Sequence, residues 1–152
     1  ILSTLHTNDA VGAFARLKDM GVERYLIASS LLLVCAQRLC RKICLNCKEQ
    51  LEFLPKSIIK EFGPRIEDRK FYYGKGCGDC NNTGYRGRVA LLEALKVDDA
   101  IKNMIIRKIS LDKVKEFALE EKRLITLRDD GLDKASGGVT TLDEILRVTA
   151  KE

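Results

Sequence analysis

Cys44-Leu45-Asn46-Cys47 and Cys77-Gly78-Asp79-Cys80 are two Cys-x-x-Cys knuckles with twenty-nine residues between them. A two-residue gap lets both sulfurs of one turn reach a single ion at about 2.3 Å, and two such turns supply the four thiolates of a tetrahedral zinc site. Gly78, and Asn46 and Asn81 beside the cysteines, suit the tight, sometimes left-handed turns that wrap a metal. Two other chemistries use the same residues. Six cysteines are an even number, as a disulfide framework requires, and Cys40, four residues before Cys44, adds a ligand suited to an iron–sulfur cluster. Ile1-Leu2-Ser3-Thr4 leads into polar residues and not into the apolar core of a secretory signal, so a reducing compartment is expected, where paired cysteines mean metal. The matched pairs favour one zinc ion held by Cys44, Cys47, Cys77 and Cys80. Cys35 and Cys40 are then small buried hydrophobes in an apolar stretch.

Outward from the knuckles, residues 44–84 read as a zinc-pinned excursion. Pro55 starts a short helix that Gly63-Pro64 ends, and Phe71-Tyr72-Tyr73 is β-prone. So short a segment has little core of its own, so metal supplies much of its folding energy, and its loss is expected to leave the C-terminal helices folded. Residues 1–43 read as strand, helix, helix, strand. A buried strand ends near Leu5, and a helix capped by Thr7 or Asn8 runs from about Asp9 to Met20 with Val11, Phe14, Ala15 and Leu17 inward. Tyr25 to Leu31 is a second helix, and Val34 to Ile43 alternates as a strand. Residues 85–96 return as a strand. Residues 97–152 read as helical: one helix begins at Asp98 or Asp99, one is capped by Ser110, and one carries Leu124, Leu127 and Leu132. Thr141-Leu142-Asp143-Glu144 has the spacing of a capping box before the last helix. The fold class is α/β with an inserted tetracysteine subdomain and a C-terminal helical bundle.

Composition sets broader limits. The 152 residues, 45% hydrophobic and 32% charged, describe an ordinary globular chain and not a disordered one. A net charge of +5 is compatible with nucleic acid, an anionic membrane face or phosphates, and selects none of them. The longest apolar run, Leu31 to Ala36, stops at Gln37-Arg38, far short of the ~20 residues that span a bilayer. The chain opens on Ile1 without an initiator methionine, and the expectation is a piece of a longer polypeptide.

Chemistry-bearing residues are few. Nothing matches Gly-x-x-x-x-Gly-Lys-Ser/Thr, and no Ser/His/Asp or paired-carboxylate arrangement is readable. His6 is the single histidine, at a strand's end just before a helix, where α/β sheets meet anions. A solvated or capping histidine is the plainer reading. Arg86 and Arg88 flank Gly87, either as solvated turn residues or as a phosphate or subunit contact, for which a planar guanidinium is suited.

Leu2-Ser3-Thr4-Leu5-His6-Thr7-Asn8-Asp9-Ala10 resembles the histidine box of the type II secretion and type IV pilus assembly ATPases, the GspE/PilB class. Ala36 to Arg41, Gly84 to Arg88 and Gly137 to Glu144 agree with the same family in order. The four-cysteine insertion is similar to the metal-binding subdomain of its extension and secretion members. The resemblance covers essentially the whole chain and implies the C-terminal part of a RecA-like motor domain. Residues 1–43 would end the ATPase core, 44–84 would be the zinc-binding subdomain, 85–96 the return strand and 97–152 the helical subdomain. Walker A and Walker B motifs would precede Ile1, so ATP and Mg2+ would be bound only by the full-length protein, and the fragment by itself would be inactive. The resemblance also implies a hexamer, docked through inner-membrane platform proteins at the inner face of the cytoplasmic membrane, with no nucleic acid partner. His6 would face the γ-phosphate or the catalytic water. The implied output is export or polymerisation of pilin-like subunits. Gln37 and Arg38 match the pattern without a role that spacing can assign. Two rivals share the cysteines. One is a stand-alone zinc-ribbon module binding nucleic acid, which the interspersed acids disfavour. The other is a chaperone-type cysteine-rich domain, disfavoured by Asn82 in place of a glycine and by two knuckles where that architecture has four.

Overall fold

The computed structural model describes residues 1–149, so the end of the expected 97–152 segment lies outside the described residues. In chain order the elements are α1 Gly12–Asp19, α2 Arg24–Ser30, β1 Leu33–Ile43, β2 Lys48–Gln50, α3 Lys56–Phe62, β3 Tyr72–Gly74, β4 Tyr85–Lys96, α4 Asp99–Ile106, α5 Leu111–Glu120, β5 Leu124–Ile125, α6 Leu127–Ser136 and α7 Leu142–Thr149. Short 3-10 turns cover Leu45–Cys47, Gly63–Ile66 and Gly78–Cys80. One sheet has the strand order β1-β4-β5 and another pairs β2 with β3. The architecture is mixed α/β, as the alternating patterns predict.

The chain divides into two compact units, residues 1–37 with 92–126 and residues 38–91 with 127 onward. The core of the first gathers Ala10, Val11, Phe14, Ile27, Ala28, Leu95, Val97, Ile101, Ile105, Val114, Ala118 and Leu124. Helix α1 buries Phe14 and stops where Gly21 turns left-handed at φ +86°. There the Gly21 and Val22 N–H groups donate to the Lys18 and Leu17 carbonyls, which closes the helix end. Helix α4 starts where Asp98 accepts the Ile101 N–H at 3.2 Å, the expected cap. Strand β5 pairs antiparallel with β4, Ala94 opposite Ile125 and Leu95 opposite Leu124.

The second unit has its own cores. Ile58, Phe62, Ile66 and Phe71 from the cysteine-flanked excursion pack with Leu132, Ala135, Leu142 and Ile145 of α6 and α7. Cys40, Leu91 and Leu127 form a smaller cluster. The excursion therefore shares its apolar interior with two of the C-terminal helices, a packing that bears on the expectation that those helices stay folded when the metal is lost. Gly131 permits the approach of α6 to α7, since a Cβ there would lie 3.0 Å from Ile145.

Several local expectations change. Residues 1–6 are exposed and belong to no helix or strand, because an apolar run becomes a strand only when a neighbour completes its ladder. Leu124 lies in a two-residue strand, not in a third helix, and α6 begins only at Leu127. The paired register with β4 overrides local helical spacing there. Cys40 is buried as expected, but Cys35 is exposed, because odd positions of β1 face outward from Leu33 to Arg41. Ser110 occupies the cap position of α5 without a side-chain cap bond.

Candidate metal centre and the histidine turn

The β2–β3 ladder, with Lys48 opposite Gly74 and Gln50 opposite Tyr72, begins just after Cys47 and ends at Gly74, just before Lys75. It brings the knuckles side by side, and the Asn46 amide donates to the Asp79 carboxylate between them. The backbone closes the arrangement: Lys75 N–H donates to the Cys47 carbonyl and Cys44 N–H to that of Gly84, both at 2.9 Å. Asn81 and Asn82, at φ +50° and +60°, carry the chain away from the second knuckle, and asparagine tolerates that left-handed backbone. Gly74 and Gly84 cross so closely that a Cβ on Gly74 would sit 2.0 Å from the Gly84 carbonyl oxygen.

The four sulfurs of Cys44, Cys47, Cys77 and Cys80 all lie within 4.8 Å of one another, a group that could hold a metal ion. The separations Cys44–Cys77 and Cys47–Cys80 are 3.8 Å, and Cys77–Cys80 is 3.7 Å. The edge of a tetrahedron with metal–sulfur bonds of about 2.3 Å is about 3.8 Å, so the sulfurs stand where one zinc-sized ion would need them. Backbone N–H groups point at them: Gly76 donates to Cys47 Sγ at 3.3 Å, and Cys77 and Gly84 donate to Cys80 Sγ at 3.2 and 3.3 Å. Such donors favour thiolate over thiol.

The thiols ionise unequally. Burial, then the neighbouring thiols, pushes Cys47 up to about 12 against the pull of the Gly76 N–H. Burial and Cys80 likewise raise Cys77. At Cys80 burial also acts upward, but the Cys77 and Gly84 N–H donors outweigh it and bring the thiol down to about 6. Four thiolates this close repel, and a shared divalent cation removes that repulsion.

A buried carboxylate stands on α7 of the same unit. Glu144 is 1% exposed and accepts five hydrogen bonds, three from Arg41 (backbone N, Nε and Nη2) and two from Arg147 (Nε and Nη2), at 2.7–3.0 Å. Burial acts to raise its pKa, but the two guanidiniums and the Arg41 N–H prevail and hold it at about 2. Arg41 stacks its guanidinium 4.1 Å from the centre of the Tyr85 ring, and the Tyr85 hydroxyl is 3.0 Å from Thr141 Oγ1. Only half of the expected capping box forms. Thr141 Oγ1 accepts the Glu144 N–H at 3.2 Å, while the Glu144 carboxylate is drawn to the arginines and not back to the helix end. Charge-assisted bonds outcompete a neutral backbone donor.

His6 belongs to the first unit and the four cysteines to the second. It is exposed, and the turn behind it is fixed at several points. Asp9 Oδ1 accepts the Gly12 N–H at 2.7 Å, and Oδ2 accepts Lys115 Nζ at 3.2 Å. The Ala10 N–H donates to Glu93 Oε1 on β4 at 2.7 Å. The helix starts at Gly12 with Asp9 as its side-chain acceptor, in place of the expected Thr7 or Asn8. Arg86 and Arg88 are exposed on β4, and Gly87 between them adopts φ +80° inside the strand. Gln37 is exposed and Arg38 half-buried on β1. Sequence reading singled out neither Glu93 nor the outward bonds of Glu144. The signal for Glu93 is periodicity: it shares a strand face with Leu91 and Leu95, both fully buried. Among the described residues no helix is long and apolar enough to cross a membrane.

The family described as type II/IV secretion system protein matches residues 1–147. The chain is 46% identical over 153 residues to the type II secretion system ATPase E of Vibrio cholerae, covering 98% of this chain and 29% of that protein. It is 43% identical over 152 residues to the type IV pilus assembly ATPase PilB of Thermus thermophilus, covering 98% of this chain and 17% of that protein. It is also 43% identical over 155 residues to the type II secretion system protein E of Dickeya dadantii, covering all of this chain and 30% of that protein. The chain thus spans less than a third of the length of each of these relatives.

Proposed function

The chain belongs to the type II/IV secretion system protein family, and from that premise we propose that it is the C-terminal part of a secretion or pilus-assembly ATPase. The observation that carries this reading is the match of nearly the whole chain to proteins named as such ATPases. In the full-length protein a RecA-like motor binds ATP and Mg2+, assembles as a hexamer and converts hydrolysis into movement of pilin-like subunits. It works at the cytoplasmic face of the inner membrane through platform proteins. His6 contributes the catalytic contact of this segment: an exposed imidazole that hydrogen-bonds the γ-phosphate or the attacking water. An imidazole can bond a phosphate oxygen or a water through either of its two ring nitrogens.

Cys44, Cys47, Cys77 and Cys80 hold one zinc ion. With all four positions taken by sulfur the ion has no open site for substrate, so its chemistry is structural. It ties the two ends of residues 44–84 together and leaves the phosphate chemistry to the motor. The separations of about 3.8 Å and the N–H donors aimed at the sulfurs support zinc without further protein ligands. Elemental analysis of freshly purified protein is expected to find one zinc per chain with these four thiols protected from alkylation. Full-length protein with His6→Ala is expected to bind ATP and lose turnover. Metal-free protein with all four thiols reactive would falsify the zinc assignment, and an undiminished His6→Ala enzyme would remove the role given to the histidine.

A further inference from the structure

We infer that Glu93 is a positioning residue that holds the turn carrying His6, an inference that rests on the phosphate-facing role proposed for that histidine. Glu93 is 4% exposed on β4, and its carboxylate reaches across 83 positions of sequence to the backbone N–H of Ala10, a member of the first unit's apolar core. The recipient, Ala10, is fully buried, so its N–H has no water to turn to. An apolar residue would fill the same strand position without the cost of burying a polar group. What the side chain adds is an acceptor oxygen and a short bond, 2.7 Å long, that sets where the chain leaves the core on its way back to His6. Asp9 makes the second attachment through Gly12 and Lys115. Gly12 leaves room for it, since a Cβ there would lie 2.7 Å from Asp9 Oδ1 and the carboxylate would have to shift. Between them these bonds fix residues 9–12 and leave the imidazole on a short tether.

A small displacement of a group that must meet a phosphate costs rate more than affinity. In the full-length polypeptide, Glu93→Ala is therefore expected to lower kcat for ATP on the order of tenfold to a hundredfold while leaving KM nearly unchanged. Glu93→Gln retains an acceptor oxygen and restores most of kcat. The double variant Glu93→Ala/His6→Ala is no slower than His6→Ala, since the two residues act as one unit. Gly12→Ala gains helix propensity that offsets part of the lost Asp9 bond, yet it displaces the Asp9 carboxylate and produces a smaller loss of the same kind. Hydrogen exchange at the Ala10 amide reads the bond directly, slow in wild type and in Glu93→Gln and fast in Glu93→Ala. A Glu93→Ala enzyme with wild-type kcat beside a defective His6→Ala enzyme overturns this inference alone, as does a double variant whose loss is the product of the single losses. A fully active His6→Ala enzyme overturns the histidine's role and this inference with it.

Discussion

Glu144 shows what one residue can decide. Its carboxylate is held at about 2, below the ordinary glutamate value of 4.5, so the unfolded chain binds its proton first as pH falls. The stabilisation is therefore complete above about pH 4.5 and is lost as pH drops towards 2, an acid-labile contribution on the order of 3 kcal/mol. Glu144→Gln is expected to flatten stability across that window, as read by urea titrations at several pH values. Glu144→Ala breaks a buried ion group, for which about 3–5 kcal/mol is typical. Arg41 and Arg147 are 49% and 52% exposed and can rehydrate, so the lower end, about 3 kcal/mol, is expected. The Gly74–Gly84 crossing is as exacting in a different way. Gly84→Ala meets φ +76° and the Gly74 backbone at once. The left-handed conformation alone costs about 1–2 kcal/mol, and the clash adds to it. Weakened zinc retention in a chelator competition should accompany the loss, because the crossing holds the second knuckle in place.

Among the elements, α6 and α7 matter most to the cysteine excursion. Ile58, Phe62, Ile66 and Phe71 bury their side chains against Leu132, Ala135, Leu142 and Ile145, so the stretch between the knuckles shares one apolar interior with these helices. Binding free energy for a structural zinc is folding free energy for whatever packs on its frame. Cys44→Ser, or stripping by a strong chelator, is expected to speed amide exchange in residues 44–84 and in α6 and α7 together. Helices α4 and α5, whose cores lie with Phe14, Ile27 and Leu95 in the other unit, should keep their protection. Unchanged exchange in α6 and α7 after zinc loss would show that the excursion folds independently of them.

For the molecule as a whole, the proposed function predicts a division of labour. Nothing in these 152 residues matches a Gly-x-x-x-x-Gly-Lys-Ser/Thr phosphate cradle, without which His6 has no γ-phosphate to address. The isolated chain is expected to show no ATP turnover above a boiled control, and sustained hydrolysis by contaminant-free material would contradict the assignment of His6 to a motor completed elsewhere in the polypeptide.

Spacing alone marked out the four sulfurs, the course of β1 and β4, the inner faces of α4 and α5, and the start of α3 at Pro55. Each depends on residues close in sequence, where the periods of 2 and 3.6 and the geometry of a two-residue turn act directly. Leu124 in a strand, Cys35 facing outward, Glu144 bound by two arginines and Glu93 reaching Ala10 were decided only when distant segments met. A strand needs its neighbour's ladder and a buried carboxylate needs a partner. The N–H of Ala10 is 83 residues from the acid that satisfies it. Local propensity carries no information about such a partner, because what selects it is the cost of leaving a buried polar group alone once the chain has closed around it.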